Sequence, residues 1–199
     1  MNNRPIIIIG KSGSGKNTVC DILVKEYGFI KVVETTTREI RDNEVEGVDY
    51  FYVSDDEYNK LRTNNMLATN TKFNRIQCLD TDIVSYGITK DQIEDNIRPL
   101  IITNPLAMKQ LRMTYPNAIV VYLDIDDISR AKKLVKRGDD FDEVIRRQRS
   151  DFTDFRHDII SEVDITIIND DYLLTPHEVA QYIIDSIREL YVIEKNCPI

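Results

Sequence analysis

Cysteine and histidine are scarce in this chain of 199 residues. Its three cysteines, Cys20, Cys78 and Cys197, have neither a pairing pattern nor the spacing of a metal site, and its two histidines have no cysteine or histidine nearby at ligand spacing. An odd number of thiols in a chain of this size suits a reducing compartment. We therefore expect a cytoplasmic protein whose chemistry depends neither on disulfides nor on metal binding by histidine.

Long apolar runs and an excess of positive charge are also missing. The first apolar run holds four isoleucines, Ile6–Ile9, which is too short for a signal-peptide core or a membrane span. The formal net charge of −8 repels nucleic acid and acidic membrane surfaces. We therefore expect no nucleic acid and no membrane among the partners, and basic residues gathered in a cleft would indicate a small anionic ligand.

Short apolar runs rich in isoleucine and valine alternate with helical segments along the chain. Such runs are typical of strands covered on both faces, as in a parallel sheet flanked by helices. The alternation predicts an α/β fold with a five-stranded parallel sheet, in one domain of residues 1–199. The predicted strands are Ile6–Ile9, Phe29–Val33, Leu100–Thr103, Ile119–Leu123 and Ile165–Ile168.

Polar residues and glycines mark the ends of the predicted helices. Side chains that accept hydrogen bonds from free N–H groups are favoured at helix starts, and glycine is favoured just after helix ends. The best-marked helices begin after Asn104, after Asp126 or Asp127, and at the capping box Thr175–Glu178, and the second of them ends at Gly138.

Residues 35–95 break this rhythm. Two shorter elements, Tyr50–Val53 and a region near Met66–Leu79, favour antiparallel pairing, and the capping box Ser54–Glu57 predicts a short helix between them. The pattern predicts a small mixed α/β lobe inserted into the parallel sheet. The core of the domain then comprises about 1–34 and 96–199.

The segment GKSGSGKNT directly follows the first predicted strand and precedes a helix. It keeps the spacing G-x-x-x-x-G-K of a phosphate-binding loop, in which backbone N–H groups and a helix N-terminus surround phosphates and the lysine reaches the outer ones. The segment therefore predicts an ATP site with a catalytic lysine, Lys16. The candidate ATP-binding residues here are Gly10, Ser12, Gly13, Ser14, Gly15, Lys16, Asn17 and Thr18.

Asn17 stands where such loops place a serine or threonine whose hydroxyl contacts Mg²⁺. The amide oxygen of asparagine is a poorer ligand, acting directly or through water. We expect a weak Mg²⁺ contact at Asn17 and a working nucleotide site, because Lys16 is present.

A second set of anion-binding residues follows the second predicted strand. Arg38 and Arg41 can clamp one phosphate with forked donors, and the hydroxyl of Tyr50 can add a hydrogen bond. Glu44 and Asp49 can bind the arginines and keep the clamp oriented. A second anion site beside a phosphate loop implies transfer between two phosphorylated ligands.

At these residues the sequence resembles the guanylate kinase family. The segment TTREIRDNEVEGVDYFYV matches the substrate-lobe pattern T-[ST]-R-x-x-[KR]-x-x-[DE]-x-x-G-x-x-Y-x-[FY], and the resemblance runs to about Asp171. It implies an enzyme with a P-loop kinase fold, ATP with Mg²⁺ as donor, a catalytic role for Arg38, and Tyr86 as a second phosphate-binding tyrosine. The matching positions are Thr36, Thr37, Arg38, Arg41, Glu44, Gly47, Tyr50 and Tyr52.

The segment 137–156 is similar to the helical lid of that family, whose arginines close over the ATP phosphates. Arg137 matches the arginine before the lid glycine and is implied to bind ATP and serve catalysis. Lys133 stands where a second arginine is usual. Asn169 resembles the asparagine that lies against the adenine of ATP.

A third lid arginine is expected at the position of Gln148. Arg146, Arg147 and Arg149 surround it, and any of them can serve after a small helical shift. Arg149 is taken as the catalytic candidate.

Three positions depart from the family where it reads guanine. The serine four residues before the first substrate arginine is Glu34 here, the glutamate is Ala68 or Thr69, and the aspartate ending the third core strand is Asn104. Glu34 can restore a carboxylate facing the N1 and N2 edge of guanine from another wall, or it can select another base. The candidate acceptor-binding residues are Glu34, Arg38, Arg41, Tyr50, Tyr86 and Asn104.

Three functions fit these residues. The resemblance implies a nucleoside monophosphate kinase that transfers the γ-phosphate of ATP to GMP or dGMP. The altered guanine readers leave another acceptor open: another or modified deoxynucleotide, or ribose 1,5-bisphosphate. The third is a binding module without catalysis, against which the intact phosphate loop argues.

Overall fold

A computed structural model describes residues 4–42, 44–77 and 80–196. Its strands are β1 (Ile6–Gly10), β2 (Ile30–Lys31), β3 (Thr35–Thr36), β4 (Phe51–Tyr52), β5 (Thr71–Gln77), β6 (Asp80–Gly87), β7 (Pro99–Ile102), β8 (Ile119–Asp124) and β9 (Ile165–Ile168). Five of them form an all-parallel sheet in the order β2-β7-β1-β8-β9. The predicted α/β class and five-stranded parallel sheet are confirmed, although β2 is shorter than the apolar run that predicted it.

The helices connect these strands across both faces of the sheet. They are α1 (Lys16–Tyr27), α2 (Asp55–Thr63), α3 (Asp91–Glu94), α4 (Pro105–Thr114), α5 (Asp127–Arg137), α6 (Phe141–Asp154), α7 (His157–Ile160) and α8 (Pro176–Asn196), with a 3₁₀ turn at Asp170–Tyr172. The side chain of Asn104 accepts a hydrogen bond from the Ala107 amide at 3.0 Å, and Asp126 accepts one from the Ser129 amide at 2.8 Å. Gly138 ends α5 with φ of 94°. These predicted helix ends are confirmed.

The isoleucines of β1 link two apolar cores, one on each face of the sheet. Ile6 and Ile8 pack among residues of α1 and α8, whereas Ile7 and Ile9 pack among residues of α4. This alternation follows from the two-residue period of a strand. Each buried isoleucine contributes roughly 1.5–3 kcal/mol to folding, so β1 and the loop that follows it are firmly held.

A second, four-stranded sheet in the order β4-β3-β6-β5 carries the acceptor-side motif. The expected antiparallel pairing is correct for β5 with β6 but wrong for β4, which pairs parallel with β3. Residues 37–50 separate β3 from β4 and are long enough for the chain to cross back to the same end before pairing. The expected short helix is present as α2, with both hydrogen bonds of its capping box between Ser54 and Glu57.

No helix in the described part of the chain is both long enough and apolar enough to cross a membrane. Cys20 is buried as a free thiol on α1. Cys78 and Cys197 lie outside the described residues.

Candidate active site

The phosphate loop joins β1 to α1 and depends on its glycines. Gly13 and Gly15 have φ of 84° and 91°, in the left-handed region that favours glycine. A Cβ added at Gly10 would lie 2.6 Å from the Ser14 hydroxyl oxygen. The loop therefore holds its backbone close around a small space at the N-terminus of α1, as phosphate binding requires.

Lys16 is the first residue of α1 and turns back over the loop. Its Nζ donates to the carbonyl oxygens of Gly10 at 2.5 Å and Lys11 at 3.3 Å. Burial lowers the pKa of Lys16 to about 8; the charge of Asp151 opposes this shift, and that of Arg130 adds to it. A bound phosphate would return a counter-charge to this ammonium group and favour its protonated form.

A cavity of about 590 Å³ opens on one side of the phosphate loop, and we call it the donor cavity. Its lining includes Ser14, Gly15 and Thr18 from the loop and α1, three lysines of α5, and Asn169 beyond β9. The lysines are Lys132, Lys133 and Lys136. The predicted ATP residues Ser14, Gly15, Thr18 and Asn169 thus meet in one place.

Two side chains shape the donor cavity further. The Nζ of Lys133 lies 4.2 Å from the centre of the Tyr172 ring and 3.3 Å from where a Cβ on Gly15 would stand. Asn169 is buried, with its side chain donating to the Leu174 carbonyl at 3.1 Å and accepting from the Leu174 amide at 2.7 Å. Lys133 therefore puts positive charge at the phosphate loop, and Asn169 fixes the wall opposite.

A second cavity, of about 1120 Å³, opens on the other side of the loop, and we call it the acceptor cavity. Gly10, Ser12, Lys16 and Asn17 from the loop line it, so the phosphate loop forms a wall shared by both cavities. The structure brings the predicted acceptor residues together here. They are Glu34, Arg38, Arg41, Tyr50, Tyr86 and Asn104.

Glu44 holds Arg38 and Arg41, the predicted phosphate clamp, in place. It accepts a hydrogen bond from Arg38 at 2.7 Å, from the Arg41 amide at 3.0 Å and from the Tyr52 hydroxyl at 2.8 Å. The guanidinium of Arg38 also lies 5.3 Å from the centre of the Tyr50 ring. The expected orienting role of Glu44 is confirmed.

Asp49 contributes to the same loop in another way. It accepts from the Val45 amide at 2.9 Å and so fixes the backbone of the loop. The expectation that it binds an arginine stays a prediction.

Buried oxygens without a partner mark the two cavities. Among the described residues, three buried side-chain oxygens have no hydrogen-bond partner: Ser14 Oγ, Glu34 Oε1 and Thr103 Oγ1. Ser14 lines the donor cavity, whereas Glu34 and Thr103 line the acceptor cavity. A buried polar group left unpaired costs about 1–3 kcal/mol, so each of these atoms favours a ligand that supplies a partner. Burial also raises the pKa of Glu34 to about 7.

The other two altered positions have local roles. The side chain of Asn104 caps α4 while lining the acceptor cavity. Ala68 and Thr69 are both buried, and the Thr69 hydroxyl accepts from the Ile88 amide at 2.9 Å. Where the family places a glutamate, this chain therefore has packing and backbone support. Glu34 supplies a carboxylate to the acceptor cavity, which Glu143, Asp151 and Asp154 also line.

The four candidate lid arginines of α5 and α6 divide into two groups. Arg146 and Arg147 line the acceptor cavity and both pair with Glu143. Arg137 pairs with Asp139 and is 57% exposed, and Arg149 is also exposed. Neither Arg137 nor Arg149 is among the described residues that line the two cavities.

Sequence reasoning missed Thr103, Arg130 and Asp151. Arg130 and Asp151 form a buried ion pair at 2.9 Å beside the loop. A lone arginine or aspartate on a helix is usually solvated, and no motif in one sequence distinguishes these two. The signal for Thr103 was its position just after an apolar strand, where parallel sheets place ligand-binding residues.

The residues present fit a Mg²⁺ ion held mainly by nucleotide phosphates. The described residues contain no group of three or more histidine, cysteine, aspartate or glutamate side chains arranged for a metal. Mg²⁺ in phosphoryl-transfer sites commonly keeps several waters and binds substrate phosphates. Asn17, exposed on the acceptor side of the loop, can add one oxygen ligand.

The parallel sheet, the phosphate loop at the end of its central strand and the two cavities beside that loop define a P-loop kinase fold. The family model for guanylate kinase matches residues 2–186. The chain is 31% identical over 188 residues to a guanylate kinase of Streptococcus thermophilus, which covers 92% of this chain and 88% of that protein. A guanylate kinase of Clostridium acetobutylicum is 29% identical over 168 residues, or 83% of this chain and 77% of that protein.

A solved structure agrees at the level of the fold. The crystal structure of guanylate kinase from Anaplasma phagocytophilum matches with a TM-score of 0.58 at 17% identity, covering 94% of this chain and 85% of that one. The chain belongs to the guanylate kinase family.

Proposed function

We propose that this protein is a nucleoside monophosphate kinase that transfers the γ-phosphate of ATP to GMP or dGMP. The observation that carries this proposal is the phosphate loop itself, which forms the shared wall between a donor cavity and an acceptor cavity. Phosphoryl transfer needs donor and acceptor phosphates positioned in line and their charge neutralised, with little covalent help from the protein.

ATP occupies the donor cavity in this proposal. Its phosphates bind the amides of the loop and the ammonium of Lys16, which faces the acceptor side of the same loop, and Lys133 adds charge beside Gly15. Its adenine lies toward Asn169. Asn17 would hold Mg²⁺ as a weak protein ligand, and the bound ion would neutralise phosphate charge.

The monophosphate occupies the acceptor cavity. Its phosphate binds Arg38, Arg41, Tyr50 and Tyr86, which face that cavity together. Its base lies toward Glu34, whose buried oxygen can accept from the N–H donors on the N1 and N2 edge of guanine. The pairing of a carboxylate with two donors favours guanine over bases that present an acceptor there.

Arginines complete the site by stabilising the charge spread over the oxygens of the transferring group. Arg146 and Arg147 already line the acceptor cavity and are better placed than Arg149. Arg137 reaches the donor phosphates when the lid of about 137–156 closes, which also keeps water from accepting the phosphoryl group. Arg38 neutralises the acceptor side of the transferring group.

The experiment that tests this function is the chromatographic measurement of ADP and GDP formed from MgATP and GMP. Wild-type protein should form both products in equal amounts, and Lys16→Ala should lose nearly all turnover, because removal of such a group costs at least about 100-fold. Lys25→Ala, an exposed change on the same helix, is the matched control. ADP without GDP would indicate hydrolysis or another acceptor, and bound ATP without turnover would favour a binding module.

A further inference from the structure

Arg130 is among the largest fully buried side chains, although it carries a charge. Its guanidinium donates to the Ile125 carbonyl at 3.2 Å, the Ser12 carbonyl at 2.8 Å, Asp151 at 2.9 Å and Asp127 at 2.5 Å. Arg130 belongs to α5 and Asp151 to α6. This buried pair therefore joins α5 and α6 to the end of β8 and to the phosphate loop.

Every polar group of Ser12 is bonded to this pair. The Ser12 amide donates to Asp151 at 2.9 Å, its hydroxyl donates to the same carboxylate at 3.2 Å, and its carbonyl accepts from Arg130. The next residue, Gly13, has no room for a side chain, because an added Cβ would lie 3.2 Å from the Arg130 carbonyl oxygen. The position of the loop thus follows the position of α5 and α6.

A buried ion pair is costly to build, and apolar side chains of similar size often replace one without loss of stability. What apolar side chains cannot provide is the set of hydrogen bonds to Ser12. These hydrogen bonds connect the pair to the phosphate loop, beyond any part it has in packing.

We propose that Arg130 and Asp151 are positioning residues that hold the phosphate loop in its donor-binding conformation and transmit movement of α5 and α6 to it. The proposal rests on the proposed function, because it takes the loop to bind the phosphates of ATP. Arg130 and Asp151 act through Ser12.

The test compares Asp151→Asn with Asp142→Asn, an exposed carboxylate on the same helix. Asp151→Asn should raise the KM for MgATP and the calorimetric Kd for MgATP at least about tenfold, since small misplacements at a reactive site are costly. Asp151 also lines the acceptor cavity, but its hydrogen bonds are to the phosphate loop, so the KM for GMP should rise less than the KM for MgATP. Asp142→Asn should match the wild type.

The double variant Arg130→Met with Asp151→Leu separates positioning from packing, since it leaves no unpaired buried charge. Because the Ser12 amide and carbonyl lose their partners but no buried charge is left unpaired, we expect a thermal midpoint no lower than that of Asp151→Asn and an ATP affinity as weak as that of Asp151→Asn. Wild-type stability together with wild-type ATP affinity would overturn the proposal.

Asp151→Glu provides the second arm if the double variant does not fold. It keeps a carboxylate that can accept from the Ser12 amide and hydroxyl and should restore part of the lost ATP affinity, and a Kd for MgATP as weak as that of Asp151→Asn would overturn the positioning role. The calorimetric measurement also keeps this test separate from the proposed function. A wild type that binds MgATP without forming GDP would contradict the proposal that GMP is the acceptor. The effect of Asp151→Asn on MgATP binding would still decide the positioning role.

Discussion

Glu34 is the residue whose environment says most about the acceptor. Its Oε1 is buried with no partner among the described residues, and it lines the acceptor cavity together with Thr103. A carboxylate accepts hydrogen bonds and donates none, so it complements a base edge that presents N–H groups. Guanine presents such an edge, whereas the same edge of adenine includes an acceptor nitrogen.

The substitution Glu34→Gln should raise the KM for GMP by about 10-fold to 100-fold, because the new amide group donates where guanine also donates. The KM for ATP should stay the same, since Glu34 lies on the acceptor side. Steady-state kinetics with each substrate varied in turn measures both, and Glu39→Gln, an exposed neighbour, is the matched control. An unchanged KM for GMP would remove Glu34 from base recognition.

The ionisation of Glu34 should be visible in the pH profile. Burial raises its pKa to about 7, and the deprotonated form is the one that accepts from both guanine donors. The value of kcat/KM for GMP should therefore rise with pH through about 7, between about pH 6 and pH 8. The phosphate of GMP also titrates near about pH 6, so the decisive comparison is with Glu34→Gln, whose profile should lack the step near the pKa of Glu34.

The neighbouring tyrosines Tyr50 and Tyr58 do not share this ionisation. Burial is also the largest cause that raises the pKa of Tyr50 and Tyr58 to about 12, so both stay neutral over this range. In the protein without acceptor, the free energy of unfolding should fall as the pH rises from the ordinary value of 4.5 to about 7, because the folded state binds the Glu34 proton more tightly. A pH profile that is identical for wild type and Glu34→Gln would contradict this assignment.

Substitution of Arg41 tests whether the two cavities bind different substrates. Arg41→Ala should raise the KM for GMP by at least about tenfold, because a forked donor to the acceptor phosphate is lost, and should leave the KM for ATP nearly unchanged. Arg62→Ala, an exposed arginine of α2, is the matched control. An equal loss for both substrates would contradict two separate sites.

The elements of the fold could be predicted where local sequence determines them. β1 and β8 are apolar because both faces of the sheet are covered, and the ends of α5 follow from Asp126 and Gly138. The direction of β4 could not be predicted, because a two-residue strand carries no information on which way its partner runs. β3 and β6 were missed because their sequences, TT and DTDIVSYG, are short or polar.

Substitution of Asn104 tests how much its helix cap at the start of α4 contributes to stability. Asn104→Ala should lower the free energy of unfolding by about 1 kcal/mol, since the Ala107 amide loses its partner, whereas Asn104→Asp should keep the cap and change stability by less than about 0.5 kcal/mol. Urea unfolding with a common slope measures both variants. Equal destabilisation by alanine and aspartate would show that the amide group of Asn104, and not its cap, supports the helix.

On the scale of the whole molecule, positive charge is concentrated at the nucleotide sites while the chain carries a net charge of −8. Three lysines line the donor cavity, and four arginines line the acceptor cavity. The donor and acceptor cavities could be predicted because each contains residues of a contiguous motif, namely the phosphate loop and the Arg38–Tyr52 segment. Arg146 and Arg147 could not be chosen over Arg149, because only the rotation of α6 about its axis decides which side chains face the cavity.

The shared wall predicts how a ligand that spans both cavities should bind. Adenosine and guanosine joined by five phosphates should bind at least about 100-fold more tightly than ATP, because the second contact becomes intramolecular. Isothermal titration measures both affinities, and Arg41→Ala should remove most of the gain. An affinity equal to that of ATP would contradict an arrangement in which the phosphates of donor and acceptor meet.

The central claim is that MgATP phosphorylates a guanine monophosphate in the acceptor cavity, and the most direct measurement is ADP release with a panel of acceptors. The panel comprises GMP, dGMP, AMP, dTMP, dUMP, CMP and ribose 1,5-bisphosphate, each tested with wild type and Lys16→Ala. We predict turnover with GMP or dGMP that exceeds turnover with the other acceptors by at least about 100-fold and depends on Lys16. Faster turnover with another acceptor, or none with any of them, would contradict the account.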